Sequence, residues 1–158
     1  MRPNVTPLDA TLGAEITNVN LRELDNDCWK VIENAFHTHA ALVFPNQNLD
    51  EISQVNFAKR FGKLEALRAD GKPSAVTLTN DSGNGAVVSK DDIRYKTLRG
   101  NEGWHTDSSY MPLAAKASIL SAQVVPSKGG ETELADMRAA YSELSETMKE
   151  KIRNLEAY

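Results

Sequence analysis

The sequence predicts an α+β protein in which helices flank a set of short strands. Apolar residues recur at helical spacing in two N-terminal stretches, and short apolar runs typical of buried strands occur between and after them. Residues 80–103 are polar and rich in turn-forming side chains, which indicates a loop. The 158 residues contain no internal repeat or clear boundary, so we expect a single domain.

The N-terminal third alternates between extended and helical patterns. Two short extended pieces surround Gly13, and Asp25 can cap a helix that runs to about His39. The apolar stripe of this helix consists of Trp29, Ile32, Ala35 and Phe36. Ala41–Phe44 follows as a short buried strand that ends at Pro45.

A second helix is predicted from about Asp50 to Arg60, with Gly62 at its end. Its apolar face consists of Ile52, Val55, Ala58 and Phe61. The rest of the chain is predicted to form strands, one turn and two short helices. The strands are Ala75–Thr79, the segments around 105–107 and Ala117–Val125, and Glu131–Ala135; the turn is Pro126–Gly130; Asp136 and Ser145 cap the helices.

Composition narrows the class of protein. The formal net charge of −4 gives no overall attraction to nucleic acid, so no nucleic-acid partner is expected. The single cysteine, Cys28, excludes an internal disulfide framework and suits a reducing compartment. No apolar run approaches the roughly 18 residues of a membrane span, and the N-terminus lacks the apolar segment of a signal peptide. We therefore expect a cytoplasmic protein without membrane contact.

Trp104-His105-Thr106-Asp107 is the most informative motif. Residues two positions apart on an extended segment share a face, so His105 and Asp107 can direct a nitrogen and an oxygen at one point. These are two of the three ligands of a 2-His-1-carboxylate site, which leaves open positions on Fe(II). The motif by itself is more often an ordinary surface or hydrogen-bonded pair, so the interpretation depends on the surrounding sequence.

The surrounding motifs are WHTD at 104–107, Pro112, an Ala-rich strand and VPSKGGET at 125–132. The N-terminal half adds Thr6–Leu8, Gly13–Ile16, Ala41–Phe44 and FAKRFG at 57–62. Together they resemble the taurine dioxygenase / 2,4-dichlorophenoxyacetate dioxygenase family of Fe(II)- and 2-oxoglutarate-dependent oxygenases. HTDSSY, ADMRAAY and FGKLE are closer to the phenoxyacetate branch than to the taurine branch.

The resemblance implies a double-stranded β-helix, or jelly roll, with flanking helices. It implies Fe(II), 2-oxoglutarate as co-substrate and O2, with hydroxylation of a small anionic, aryloxyalkanoate-like substrate and release of succinate and CO2. Residues 1–158 would form the N-terminal part of a single dioxygenase domain. The barrel would therefore be incomplete in this chain, and we expect a homo-oligomer.

The family's second metal-binding His and its 2-oxoglutarate-binding Arg have no counterpart in this chain. The two other histidines, His37 and His39, fall at the end of the first predicted helix, where an imidazole suits the helix C-terminus. We therefore expect the 158 residues alone to bind metal weakly and to be inactive.

The resemblance also assigns roles to individual residues. His105 and Asp107 match the metal ligands, Thr132 matches a residue whose hydroxyl meets the 2-oxoglutarate carboxylate, and Asn101 matches a substrate contact. Thr132 also suits a plain strand position, and Asn101 suits a turn. Trp104 would either wall the site or pack in a core.

Two features bear on the substrate. A sulfonate-contacting His of the taurine enzyme corresponds to Leu67, followed by Arg68, which counts against taurine. Four basic residues precede the metal motif and form either a solvated loop or a clamp for an anionic substrate: Lys90, Arg94, Lys96 and Arg99.

Two alternative functions stay open. One is a catalytically inactive half-barrel that acts as a binding or scaffold module, and the other is a cupin-like zinc enzyme without 2-oxoglutarate.

Overall fold

A three-stranded sheet and five α-helices are formed by the residues that the computed structural model describes, 2–66, 75–83 and 85–156. The elements are β1 (Asn4–Pro7), β2 (Ala14–Thr17), α1 (Asn26–His39), β3 (Leu42–Val43), α2 (Glu51–Ala58), α3 (Ile93–Gly100), α4 (Met137–Glu143) and α5 (Glu146–Ile152), with a 3-10 turn at Leu21–Glu23. The chain divides into two compact units, Met1–Gln47 with Ala122–Tyr158, and Asn48–Ser121. This confirms the α+β class.

The sheet of the first unit has β2 at its centre. β1 pairs with β2 in antiparallel register, with Asn4 opposite Thr17, and β3 runs parallel to β2 with Leu42 opposite Ala14. Ile16 on β2 and Ile32 on α1 are both fully buried, and α1 packs against β2 and β3. The core of this unit therefore lies between one helix and the small sheet, as the predicted apolar stripe requires.

Capping hydrogen bonds set both ends of helix α1, one from a side chain and one from the backbone. The Asp25 carboxylate accepts a hydrogen bond of 2.7 Å from the Cys28 amide, which confirms the predicted start. At the other end, Ala40 has a φ of +62° and donates to the Phe36 carbonyl. The Gly13 amide then donates to the His39 carbonyl at 2.8 Å, which ties the helix end to the sheet.

The second unit contains α2, which begins as predicted at Asp50, whose side chain accepts from the Ser53 amide. The predicted apolar face of α2 is wrong at Ile52, which is 75% exposed. Phe57 is buried instead and meets Phe61 edge to face, with ring centroids 5.6 Å apart. Because Phe57 is five positions from Ile52, the two side chains cannot share one face of the helix.

Helix α3 corrects the prediction of a loop over residues 80–103. The Asp92 side chain accepts from the Arg94 amide at 2.8 Å and starts the helix, which ends at Gly100. A short polar helix with a single strong cap carries little apolar periodicity, so the pattern did not reveal it. The turn-rich part of the prediction holds around Gly83 and Gly85, both with positive φ, beside an Asp81–Val87 bridge.

Four predicted strands are not formed: Ala75–Thr79, the segment around 105–107, Ala117–Val125 and Glu131–Ala135. A strand exists only through ladder hydrogen bonds to a neighbour, and among the described residues these segments have none. No barrel is therefore assembled by the described ranges. The predicted turn after Pro126 is present, with φ near +78° at Gly129 and Gly130, and Asp136 and Ser145 cap α4 and α5 as expected.

None of the helices in the described ranges combines the length and the apolar character required to cross a lipid bilayer.

Two isoleucines test the assignment of the core. Ile32→Ala should lower the free energy of unfolding by about 2–5 kcal/mol, because it removes a fully buried side chain and leaves a cavity. Ile52→Ala is the matched control and should change it by no more than about 0.5 kcal/mol, as for a surface site. Urea denaturation followed by circular dichroism measures both. Equal effects at the two positions would contradict the packing described for α1 and α2.

Candidate metal centre

His105 and Asp107 lie in an irregular segment of the second unit, and their side chains converge. His105 Nε2 and Asp107 Oδ1 are 3.3 Å apart, and the two side chains are 49% and 59% exposed. The predicted ligands are therefore brought together, although the segment that carries them is not the extended strand from which their convergence was predicted. Their exposure leaves the facing atoms accessible to a third group.

A backbone contact fixes which imidazole nitrogen faces Asp107. His105 Nδ1 lies 2.7 Å from the carbonyl oxygen of Gly103. Because a carbonyl oxygen only accepts, Nδ1 carries the proton of this hydrogen bond. In the neutral imidazole the lone pair is then on Nε2, the nitrogen that faces Asp107, as a metal ligand requires.

The other oxygen of Asp107 has a partner of its own. Ser118 Oγ donates a hydrogen bond of 2.8 Å to Asp107 Oδ2. One carboxylate oxygen, Oδ2, therefore accepts from the Ser118 hydroxyl, and the other, Oδ1, faces His105. Ser118 was not among the residues singled out from the sequence.

The residue after Asp107 anchors the turn of the motif. Ser108 is buried, with 8% exposure and a φ of +54°, a conformation that disfavours side chains with a Cβ. Its hydroxyl donates to Glu65 Oε2 at 2.6 Å, and its carbonyl accepts from the Met111 amide at 3.1 Å. Sequence reasoning assigned Ser108 and Glu65 no function, although both stand in the motifs HTDSSY and FGKLE.

The two donors fit one edge of a divalent metal site. Adjacent ligands about 2.1 Å from such an ion stand about 3.0 Å apart at right angles, close to the observed 3.3 Å. An imidazole nitrogen and a carboxylate oxygen are also the ligand types of an Fe(II) facial triad. Within residues 2–66, 75–83 and 85–156, no three His, Cys, Asp or Glu side chains come together as a metal site. His105 and Asp107 would therefore supply two ligands, and the described residues offer no third beside them.

The other predicted site residues are not drawn into this cluster. Asn101 follows the last residue of α3 and its amide donates to the Thr97 carbonyl at 3.1 Å, so it serves as the helix C-cap. Trp104 is 71% exposed, so its interpretation as a core aromatic is wrong for this structure. Thr132 is exposed in the first unit, in a segment without regular structure. The substrate and co-substrate roles of Asn101 and Thr132 stay predictions.

Two members of the predicted basic run already have carboxylate partners. Arg94 binds Asp92 through its Nη2 at 2.7 Å, and Arg99 pairs with Glu102. Lys90 and Lys96 form no ion pair with the described residues, and both are exposed. Charge for an anionic ligand is therefore available from the lysines rather than from the arginines. Leu67 and Arg68, which bear on the taurine comparison, lie outside the described residues.

The pairing with Arg94 has an electrostatic consequence at the start of α3. The Arg94 side chain donates to the Asp92 carboxylate, as does the Arg94 amide, and together they lower the pKa of Asp92 to about 2. The same contact raises the pKa of the Arg94 guanidinium. The cap and the ion pair thus reinforce each other in the helix that leads into the metal motif.

Comparison with known proteins identifies the class. The taurine catabolism dioxygenase TauD, TfdA family matches residues 4–158, and the chain belongs to this family. This confirms the resemblance drawn from the WHTD and VPSKGGET motifs.

Particular relatives narrow the comparison. The chain is 46% identical over 154 residues to the (S)-phenoxypropionate/alpha-ketoglutarate-dioxygenase of Sphingobium herbicidovorans, an alignment that covers 98% of this chain and 52% of that protein. It is 35% identical over 160 residues to the alpha-ketoglutarate-dependent 2,4-dichlorophenoxyacetate dioxygenase of Cupriavidus pinatubonensis, with 96% and 56% covered. The chain spans about half the length of the curated relatives that it matches.

Solved structures agree with the sequence comparison. The structure of AAD-2 in complex with Mn(II) and N-oxalylglycine superimposes with a TM-score of 0.86 at 35% identity, over 97% of this chain and 54% of that one. A divalent metal ion and an oxalyl-bearing ligand therefore occupy a structurally similar protein. The backbone of this chain thus resembles about half of that protein.

The Asp92 cap can be tested by titration. We expect the Asp92 carboxyl carbon to titrate in an NMR experiment near pH 2, since its pKa is lowered to about 2. This pKa is below the value of about 3.9 in the unfolded chain. The contribution of Asp92 to the free energy of unfolding is therefore complete above about pH 3.9. It is lost as the pH falls towards 2. Helicity of α3 should decline over the same range.

Arginine substitutions separate the causes of this shift. Arg94→Ala should raise the pKa of Asp92 towards its ordinary value, because it removes the side-chain hydrogen bond. Arg99→Ala is the matched control and should leave it unchanged, since Arg99 pairs with Glu102. A normal pKa for Asp92 in the unmodified protein would contradict the arrangement.

Proposed function

We propose that this chain is part of an Fe(II)- and 2-oxoglutarate-dependent dioxygenase that hydroxylates a small, carboxylate-bearing, aryloxyalkanoate-like substrate. The observation that carries the proposal is the convergence of His105 Nε2 and Asp107 Oδ1 in a member of the TauD, TfdA family. The cofactor is Fe(II), and 2-oxoglutarate is the co-substrate. For each substrate hydroxylated, one O2 and one 2-oxoglutarate are consumed and one succinate and one CO2 are released.

The roles of the residues follow from their contacts. His105 would bind the ion through Nε2, since its Nδ1 proton is donated to the Gly103 carbonyl, and Asp107 would bind through Oδ1. Bound Fe(II) supplies the redox chemistry that couples 2-oxoglutarate decarboxylation to hydroxylation. The Thr132 hydroxyl would donate to a 2-oxoglutarate carboxylate, and Asn101 would contact the substrate. Both assignments rest on the family motif.

The substrate class is supported by two observations of different kinds. The relatives from Sphingobium herbicidovorans and Cupriavidus pinatubonensis are named for phenoxypropionate and 2,4-dichlorophenoxyacetate, both aryloxyalkanoates. Lys90 and Lys96 provide positive charge that no described carboxylate neutralises. Positive charge of this kind favours a carboxylate substrate.

The wider proposal concerns the whole protein. A jelly-roll barrel is supported by the superposition on AAD-2, of which this chain covers about half. A cytoplasmic homo-oligomer stays a prediction. The relatives support the enzyme over the scaffold module, because those compared with this chain are named as oxygenases.

A substrate panel tests the proposal directly. Full-length protein with Fe(II), 2-oxoglutarate and O2 should release succinate when given phenoxyacetate or either enantiomer of 2-phenoxypropionate. Taurine should give much less succinate. Omission of 2-oxoglutarate should abolish consumption of the aryloxyalkanoate, whereas a zinc enzyme independent of 2-oxoglutarate would still consume it. Absence of stimulation by every aryloxyalkanoate would refute the substrate class.

The metal pair yields a prediction on binding and turnover. His105→Ala or Asp107→Ala should abolish Fe(II)-dependent succinate release, because each removes one of two converging ligands. Binding of Mn(II), followed by electron paramagnetic resonance, should weaken by at least about tenfold. The circular dichroism spectrum should be retained, since both side chains are exposed.

Matched variants control for loss of a histidine or a carboxylate elsewhere. His37→Ala, in the last turn of α1, and Asp91→Ala, just before α3, should leave turnover and Mn(II) affinity unchanged. Substantial turnover in either ligand variant would remove the assignment of His105 and Asp107.

The co-substrate role of Thr132 yields a further prediction. Thr132→Val keeps the shape of the side chain and removes its hydroxyl, so 2-oxoglutarate binding should weaken by about 1–2 kcal/mol. The KM for 2-oxoglutarate should rise several-fold, while the KM for the aryloxyalkanoate stays unchanged. Thr132→Ser should restore the original value. A KM unaffected by the valine would leave Thr132 as a structural residue only.

A further inference from the structure

The two oxygens of Asp107 have different surroundings. Oδ1 faces His105 Nε2 at 3.3 Å, whereas Oδ2 accepts a hydrogen bond of 2.8 Å from Ser118 Oγ. The last torsion of an aspartate side chain is broad and nearly two-fold, so without a partner the two oxygens would exchange freely. The Ser118 hydroxyl removes this equivalence.

We propose that Ser118 is a positioning residue for Asp107. This inference rests on the proposed function. By holding Oδ2, Ser118 presents Oδ1 alone to the ion, so that the carboxylate occupies one coordination position rather than two. In a facial triad the carboxylate should occupy only one coordination position, because the remaining positions must stay open for the co-substrate and O2.

Ser118 is itself held in place by the neighbouring backbone. The Gln54 side chain, on α2, donates from Nε2 to the Ile119 carbonyl at 3.1 Å. This contact attaches the irregular segment that carries Ser118 to a helix of the same unit. The hydroxyl is therefore delivered to Asp107 from a segment anchored independently of the metal motif.

The side chains of His105 and Asp107 are each oriented by one hydrogen bond, and the two hydrogen bonds come from different parts of the chain. His105 is oriented through Nδ1 by the carbonyl of Gly103, two residues away, and Asp107 is oriented through Oδ2 by Ser118, eleven residues away. In each case the atom that does not face the partner ligand carries the orienting hydrogen bond. Outer contacts of this type fix ligand geometry in metal sites.

Mn(II) and Co(II) binding to the full-length protein test the inference. Ser118→Ala should raise the Kd for Mn(II) by about tenfold, the lower end of the range for loss of an outer-shell hydrogen bond. The visible absorption of bound Co(II) should weaken as well, because a freed Oδ2 can join the ion and raise its coordination number. Ser118→Thr retains the hydroxyl and should restore both values.

A matched serine controls for general effects of the substitution. Ser142→Ala removes a hydroxyl that donates to the Arg138 carbonyl on α4, and it should leave the Mn(II) affinity and the Co(II) spectrum unchanged. Equal losses in the two alanine variants, accompanied by a lowered unfolding midpoint, would overturn the positioning role.

The outcomes separate this inference from the function on which it rests. If the unmodified protein binds Mn(II) and His105→Ala abolishes binding, but Ser118→Ala changes neither the Kd nor the Co(II) spectrum, the positioning role is wrong and the metal centre stands. If the unmodified protein binds no Mn(II), or if His105→Ala binds it equally well, both fall together.

Discussion

The local arrangement of the metal motif depends on the carboxylate of Asp107, which faces a nitrogen lone pair on one side and accepts from a hydroxyl on the other. His105 Nε2 and Asp107 Oδ1 lie 3.3 Å apart, a separation that suits a proton between the two atoms or a metal ion in its place. The contacts to Gly103 and Ser118 hold the two side chains in this geometry. The pair is therefore preformed, and a cation that displaced the proton would meet two donor atoms already turned towards each other.

The turn at Ser108 extends the same constraint into the packing of the second unit. A residue with a Cβ at a φ of +54° is strained by about 1 kcal/mol or more, and a buried hydroxyl needs a partner. Glu65 supplies that partner at 2.6 Å. The backbone direction after Asp107 is therefore fixed by the turn at Ser108. The conformation of the His105–Asp107 pair is thus coupled to the Glu65 carboxylate, which is not itself a member of the pair.

Local signals in the sequence predicted what local interactions determine. The cap at Asp25 and the helix start at Asp50 were predictable because a carboxylate shortly before an apolar periodic stretch binds amides within reach of its own side chain. The strand predicted at Ala117–Val125 was wrong because apolar composition indicates a buried segment but does not identify the neighbour that would pair with it. Helix α3 was missed for the converse reason, since it has a cap but little apolar periodicity.

The same distinction explains which part of the site could be predicted. His105 and Asp107 are only two positions apart and were predicted to converge, although the segment is irregular rather than extended, whereas Ser118 and Glu65 reach the motif from eleven and forty-three residues away. The basic run illustrates a related limit, because a count of charges does not reveal their partners. Arg94 and Arg99 are neutralised by Asp92 and Glu102, which flank the two ends of α3, so the net positive charge near the motif is smaller than the sequence suggests. Under the proposed function, an anionic substrate would consequently be recognised by fewer charges, and the shape of its aromatic ring would have to contribute more to its selection.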